Sequence, residues 1–259
     1  MTIDNALTRR SPFDLTGKRA VVTGAGRGLG QGVALALAEA GADLVLVGLP
    51  DSQTETEKLI RDLGRDVDVV NLDMGDHEAV ASVGDQLAAT YAVDILVNNA
   101  GIIDRHDTVD VTEDSWNKVI DINLSGLFLL TQRIGRGMVE RRQGKIISIA
   151  SLLAFQGGIR VISYTASKHG VAGITKALAN EWGQFGVQVN AIAPGYMATD
   201  NTTALREDAD RSKAILERIP AGRWGTPEDI AGSAVFLGSS ASDYVNGHVL
   251  VVDGGWMAR

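Results

Sequence analysis

Cysteine is missing from this chain, which removes disulfides, thiol nucleophiles and cysteine-based metal sites. Histidine is scarce. The four, at positions 77, 106, 169 and 248, show neither an HExxH pattern nor paired ligand spacing, so no metal centre is expected. Three of them read as surface or capping residues, and His106 is taken up below. Basic charge is in deficit, with 24 Lys and Arg against 32 Asp and Glu and a net charge of −8. That balance speaks against nucleic acid, whose binding wants a basic face. It is compatible with a small anionic substrate, which needs only one or two local cations. No apolar run approaches the ~18 residues of a membrane helix. The opening MTIDNALTRRSPFDLTGK has mixed charges and no apolar centre, so it is no secretory signal. The expectation is a cytoplasmic protein with no membrane partner, its residues 1–16 a loosely held arm.

Apolar strand-like runs alternate with helical patterns. AVVT (20–23), DLVLVG (43–48), DVVNLD (68–73), DILVNN (94–99), KIISIA (145–150), VQVNAIA (187–193) and HVLVV (248–252) read as seven strands. Helical patterns cover 31–41, 55–64, 78–91, 113–140 and 164–185, and Pro227 opens another. Near-continuous Val/Ile/Leu strands imply a parallel sheet buried on both faces. Regular alternation implies right-handed crossovers in one doubly wound α/β domain over 1–259. The stretch 196–223 is polar, charged and long between elements. It follows the C-terminal end of a strand, where open α/β sheets bind ligands, so it reads as a substrate-covering lid.

Chemistry concentrates at strand ends. After the first strand, TGAGRGLG carries Gly24, Gly28 and Gly30, a turn whose backbone can approach a pyrophosphate at a helix N-terminus; Leu29 lies within it. The second strand ends in Gly48 and Leu49, where an NAD-preferring site would usually place an acid for the ribose 2′-hydroxyl. Arg27, inside the glycine turn, can pair with a 2′-phosphate. NADP is therefore favoured, with NAD use open. Asp73, with Met74 beside it, can take the adenine amino group, or it caps the helix starting near Asp76 or His77. In Asn98-Asn99-Ala100-Gly101 the amides can tie strands together, and the small pair leaves room for a cofactor. Asn123 lies inside a helical pattern although asparagine is a mediocre helix former. It reads as a kink holding a water near a lysine, or as a plain helix–helix hydrogen bond.

Tyr164 and Lys168 are four residues apart, hence on one helix face, and Ser151 precedes the tyrosine by thirteen. A YxxxK spacing alone arises by chance. With the glycine turn and the serine in one order, it reads as a proton-transfer site in which the ammonium lowers the tyrosine pKa.

These motifs, with NNAG, YTASK and the PG of APGYMATD, resemble the short-chain dehydrogenase/reductase family over essentially the whole chain. The resemblance implies a Rossmann-type fold, a three-layer sandwich, and a tetrad of Asn123, Ser151, Tyr164 and Lys168. It also implies that Tyr164 and Lys168 touch the cofactor, that Pro194, Gly195 and Thr199 line the nicotinamide pocket, and that Ile192 closes over the ring. SLLAFQGGIRVISYTASK, NAIAPGYMATDNT, RIPAGRWG and the tail SSASDYVNGHVLVVDGGWMAR resemble its sugar-acid branch, the 2-dehydro-3-deoxy-D-gluconate 5-dehydrogenases (2-deoxy-D-gluconate 3-dehydrogenases) and gluconate 5-dehydrogenases. That implies hydride exchange between a nicotinamide cofactor and a sugar acid, in a homotetramer. The alternatives are a 3-oxoacyl thioester or other carbonyl reductase, or a non-catalytic nucleotide-sensing regulator. A carboxylate substrate calls for a guanidinium. Arg105 and Arg160 are the joint first candidates and Arg223 a third, with Gln156 and His106 for the hydroxyls.

Overall fold

The computed structural model describes residues 11–259. Seven strands form one sheet: β1 (Arg19–Thr23), β2 (Asp43–Gly48), β3 (Val67–Asn71), β4 (Ile95–Asn98), β5 (Gly144–Ile149), β6 (Val187–Pro194) and β7 (Val249–Val252). Their spatial order is β3-β2-β1-β4-β5-β6-β7, and every pairing is parallel. The order reverses between β1 and β4, so the glycine turn and the Asn-Asn-Ala-Gly segment emerge side by side at the switch point where such sheets bind ligands.

Strand pleating sends alternate side chains to opposite faces, and both faces are covered. On one, Ala20, Val22, Leu44, Leu46, Ile95 and Val97 pack with α1 (Gly28–Glu39), α2 (Thr54–Asp62) and α9 (Pro227–Gly238) through Val33, Leu37, Ile60, Ile230 and Leu237. On the other, Val21, Val45, Val47, Leu96 and Ile146 meet α3 (His77–Thr90), α5 (Leu127–Arg141) and α6 (Ile162–Trp182) through Val80, Leu87, Leu130, Ile134, Met138 and Leu178. This is the expected three-layer arrangement.

Three local readings change. The helical pattern over 113–140 is two helices, α4 (Glu113–Ile120) and α5, joined by a π-helical turn at Asp121–Gly126. The wider turn lets fully buried Asn123 accept from the Ile102 amide at 2.8 Å and donate to the Ile102 carbonyl at 2.8 Å. Its amide also donates to Ser167 Oγ at 3.3 Å. Residues 196–223 are not a plain loop: they carry α7 (Thr203–Glu207) and α8 (Ala209–Arg218). The chain's last residues secure α8, with the Arg218 guanidinium 4.0 Å above the Trp256 ring and Arg259 donating to the Glu217 carbonyl. Finally, of the arm expected over 1–16, residues 1–10 lie outside the described residues, and the rest is docked. Leu15 is 1% exposed and its amide bonds the Ala40 carbonyl, because an apolar side chain there completes the α1 face of the core.

No helix among the described residues is long and apolar enough to cross a membrane, and no group of three His, Cys, Asp or Glu among them could hold a metal ion.

Candidate active site

A cleft of about 570 Å³ runs along the C-terminal ends of β1, β2, β4 and β5. It is lined by Gly24, Arg27, Gly28, Leu29, Gly30, Gly48, Asp73, Met74, Asn99, Ala100, Gly101, Tyr164, Lys168 and Thr199, all read from the sequence as cofactor-facing. The lining also includes Leu49, at the strand end already named, and Gly26, Ser52, Ile102, Ile149, Asp200 and Asn201, which that reading missed. Asp200 and Asn201 open the lid, and their placement beside a turn 173 positions away leaves no mark in local sequence.

Backbone proximity explains the glycines. A Cβ on Gly30 would overlap the Gly24 carbonyl and the Asn99 amide, and one on Gly26 would overlap the Ser52 carbonyl. The turn is held by Asn99, whose amide donates to the carbonyls of Thr23 and Gly24 at 3.0 Å each, while Thr23 Oγ1 accepts from the amides of Asn99 and Ala100. Asn98 ties β4 inward, donating to Thr131 Oγ1 at 2.8 Å. The asparagine pair thus has the structural role expected of its amides. Asp73 accepts from the Gly75 amide at 2.8 Å, and Asp76, not Asp73, caps α3 by accepting from Ala79.

The residues present fit a dinucleotide. The first turn of α1 carries no acid and no side chain caps it, so its amides and positive dipole end face the cleft unneutralised. At the end of β2, the amide of buried Gln53 occupies the space a Gly48 side chain would need, and its Nε2 has no hydrogen-bond partner. Gly48 thus carries no acid, an uncharged amide fills the space beside it, and no carboxylate at that position repels a 2′-phosphate.

At the other end of the cleft, α6 presents Tyr164 and Lys168 one turn apart. Lys168, 3% exposed, donates to the Ile149 carbonyl at 2.6 Å, and its ammonium lies 5.4 Å from the Tyr164 ring centroid. Ser151 caps the short turn after β5 through the Leu153 amide and hydrogen-bonds Tyr164. The expected pKa direction is corrected here. Tyr164 is half-buried and lines the cleft, and its burial raises its pKa. The Ser151 hydrogen bond and the Arg105 charge pull it partly back. Lys168 lies over the ring face, is bonded to a carbonyl, and is itself lowered by burial to about 8.

The Lys168 shift predicts a pH effect on stability. Between about 8 and the ordinary 10.5 the folded chain has released this proton and the unfolded chain still binds it, so stability rises with pH across that window. The rise is expected to be about 2–3 kcal/mol, and Lys168→Met should lack it. Urea melts of both proteins at pH 7.5 and 10.5 give the difference, and equal slopes refute the assignment.

Other sequence candidates separate. Pro194 ends β6 beside Val252, Gly195 packs on Asp253, and Ile192 is fully buried in the core with Ile230 and Leu237 of α9. Arg160 has a left-handed backbone (φ 64°), a 3.2 Å ion pair with Asp107 and a carbonyl bonded by the His106 amide, so it braces its loop. Arg223 is held by two bonds to Asp229, at 2.6 and 2.7 Å. His106 pairs with Asp104 at 3.0 Å. Gln156, half-buried, is not among the cleft residues. Arg105 alone of these cations acts on the tyrosine, and its guanidinium donates to the lid carbonyl of Asn201 at 2.9 Å.

A switch-point cleft beside a Ser–Tyr–Lys cluster defines a nicotinamide-dependent oxidoreductase class. The family model described as enoyl-(acyl carrier protein) reductase matches residues 24–257, and the chain belongs to the short-chain dehydrogenases/reductases. It is 56% identical over 247 residues to 2-dehydro-3-deoxy-D-gluconate 5-dehydrogenase of Bacillus subtilis (strain 168), covering 95% of this chain and 97% of that one. A solved structure from Agrobacterium tumefaciens, provisionally named a 2-deoxy-D-gluconate 3-dehydrogenase and holding NADP, is 54% identical with a TM-score of 0.92, covering 96% and 100%. A gluconate 5-dehydrogenase from Burkholderia cenocepacia J2315, in complex with NADP and tartrate, is 39% identical with a TM-score of 0.92, covering 96% and 98%.

Proposed function

We propose that this chain is an NAD(P)-dependent oxidoreductase that interconverts a secondary alcohol and a ketone on a sugar acid of the 2-dehydro-3-deoxygluconate, 2-deoxygluconate or gluconate type. The observation that carries the reading is Tyr164 in the lining of the switch-point cleft, with Ser151 and the Arg105 charge both acting on its hydroxyl. The sugar-acid names of its relatives support the substrate class, and NADP in similar structures supports the cofactor.

In this reading the glycine turn and the first amides of α1 hold the pyrophosphate, and Asp73 and Met74 border the adenine. A nicotinamide dinucleotide held there supplies or accepts the hydride. Ser151 donates a hydrogen bond to the reacting oxygen, and the Tyr164 hydroxyl gives the proton in reduction or takes it in oxidation. Lys168 supplies positive charge over the Tyr164 ring face up to pH about 8. Asn123 keeps the loop after β4 and the α6 helix in register through Ile102 and Ser167. Arg105 grips the substrate carboxylate under the lid.

Purified protein incubated with NADP or NAD and a panel of sugar acids, neutral sugars and 3-oxoacyl thioesters tests the reading, followed by absorbance of the reduced cofactor. Turnover confined to the acids supports it. Turnover confined to the thioesters moves the assignment to a thioester carbonyl reductase, and none on any panel to the nucleotide-sensing regulator.

A cytoplasmic homotetramer belongs to the same proposal. Trp116, Phe128 and Ile162 leave apolar surface exposed on α4, α5 and α6, and closed two-fold assemblies are the default for such faces. Light scattering at micromolar concentration is expected to give four times the chain mass, and a monomer mass refutes it.

A further inference from the structure

We infer that Asp200, at the start of the lid, sets the preference between the two nicotinamide cofactors by occupying Arg27. The inference rests on the dinucleotide reading of the cleft. Among the described residues lining that cleft, Arg27 and Lys168 are the cations. Lys168 is buried at the far end under Tyr164. Arg27 is thus the cation next to Gly26, which packs on Ser52 in the turn after β2, where the ribose 2′ substituent is read. At that strand end Gly48 offers no acid to a 2′-hydroxyl, so discrimination between a 2′-hydroxyl and a 2′-phosphate draws on charges reaching in from elsewhere.

Arg27 is not free to meet a phosphate. Its Nη1 donates to Asp200 at 2.9 Å, bridging the glycine turn and the lid. The turn that carries Asp200 is ordered by Thr202, whose Oγ1 donates to the Met197 carbonyl at 2.6 Å and accepts from the Thr199 amide at 3.2 Å. Both side chains of the pair are largely in water, 80% and 70% exposed. Such pairs are weak and exchangeable. A 2′-phosphate carries more charge than a carboxylate and three acceptor oxygens. It can therefore draw Arg27 away, at the cost of breaking the pair and standing near the released Asp200 charge. A 2′-hydroxyl meets neither cost. The pyrophosphate charge is common to both cofactors and cancels in the comparison. Asp200 accordingly acts against NADP and is neutral towards NAD, and Arg27 acts for NADP to the extent that Asp200 lets it.

The test is binding, measured by calorimetry on the full chain with NAD, NADP, 5′-AMP and 2′,5′-ADP. The ratio Kd(NAD)/Kd(NADP) is expected to rise about three- to fivefold in Asp200→Asn, the scale of one exposed ion pair. It should fall about tenfold in Arg27→Gln, which loses a charge-assisted phosphate contact. In the double variant the Asp200→Asn gain should vanish, since its target is gone. The 5′-AMP/2′,5′-ADP ratio should move with the cofactor ratio, because the lid contact concerns only the phosphate. An unchanged ratio in Asp200→Asn, or the same gain with and without Arg27, overturns the inference while the dinucleotide reading stands. Failure of the parent chain to bind either dinucleotide overturns both.

Discussion

Tyr164→Phe is expected to lower turnover by about 10²–10⁴-fold, the range a positioned general acid or base contributes, while dinucleotide affinity stays within about threefold. The substitution removes one oxygen and keeps the ring that lines the cleft beside Lys168. The parent's pH profile carries a second, directional expectation. Burial raises the Tyr164 pKa above its ordinary 10.0, so the hydroxyl is protonated throughout the neutral range. Carbonyl reduction, which draws on the protonated form, should be insensitive to this group from pH 6 to 9. Alcohol oxidation needs the phenolate, so its kcat/KM should climb with pH over the same range and level off only above the raised pKa. Steady-state rates in both directions, with a fluorescence titration of the dinucleotide, check both parts. Turnover within tenfold of the parent in the Phe variant would remove Tyr164 from the chemistry.

Arg105→Ala should lower kcat/KM for a sugar acid by about 30–150-fold, the scale of a lost charge-assisted pair of about 2–3 kcal/mol, and much less for the neutral analogue. Arg160→Ala, by contrast, should treat the two substrates alike, since Arg160 is engaged with Asp107 and braces its loop through backbone contacts. A separate signature distinguishes an active-site charge from a structural one. The Arg105 cation lowers the Tyr164 pKa, so its removal leaves the phenol harder to ionise. The oxidation profile of Arg105→Ala should shift to higher pH, on the neutral substrate as well as on the acid. If both arginine variants lose activity equally on charged and neutral substrates and neither profile shifts, the carboxylate is held elsewhere.

Asp200 links these results to cofactor choice. The first lid residues are held from two sides, by Arg27 through Asp200 and by Arg105 through the Asn201 carbonyl. In the proposed reading a 2′-phosphate competes for the first arginine and a substrate carboxylate for the second. Both are guanidinium contacts on exposed surface, exchangeable at small cost. The far end of the lid is fastened differently, by Trp256 packed with Ile215 and Ile219 and by Arg259 on the α8 carbonyls.

The sequence alone determined the sheet, because a strand buried on both faces leaves a near-continuous Val/Ile/Leu run that needs no partner to be recognised. It likewise determined the glycine turn and the Tyr164–Lys168 face, both products of spacing within one element. What it could not hold were relations between distant elements. Residues 113–140 read as one helix because periodicity does not register that the Asn123 amide grips Ile102, or that a Gly126 side chain would overlap the Met74 carbonyl. The Tyr164 pKa was read from its nearest cation in sequence. The tertiary structure reverses the direction, since burial of Tyr164 outweighs the Ser151 and Arg105 contributions and Lys168 spends its hydrogen bond on Ile149. Arg27 read as a free cation until folding placed Asp200 beside it, and Arg105 and Arg160 read as equals until one reached the tyrosine and the other Asp107. In each case the deciding energy is electrostatic or steric between groups far apart in the chain, and only the packed structure sets their distance.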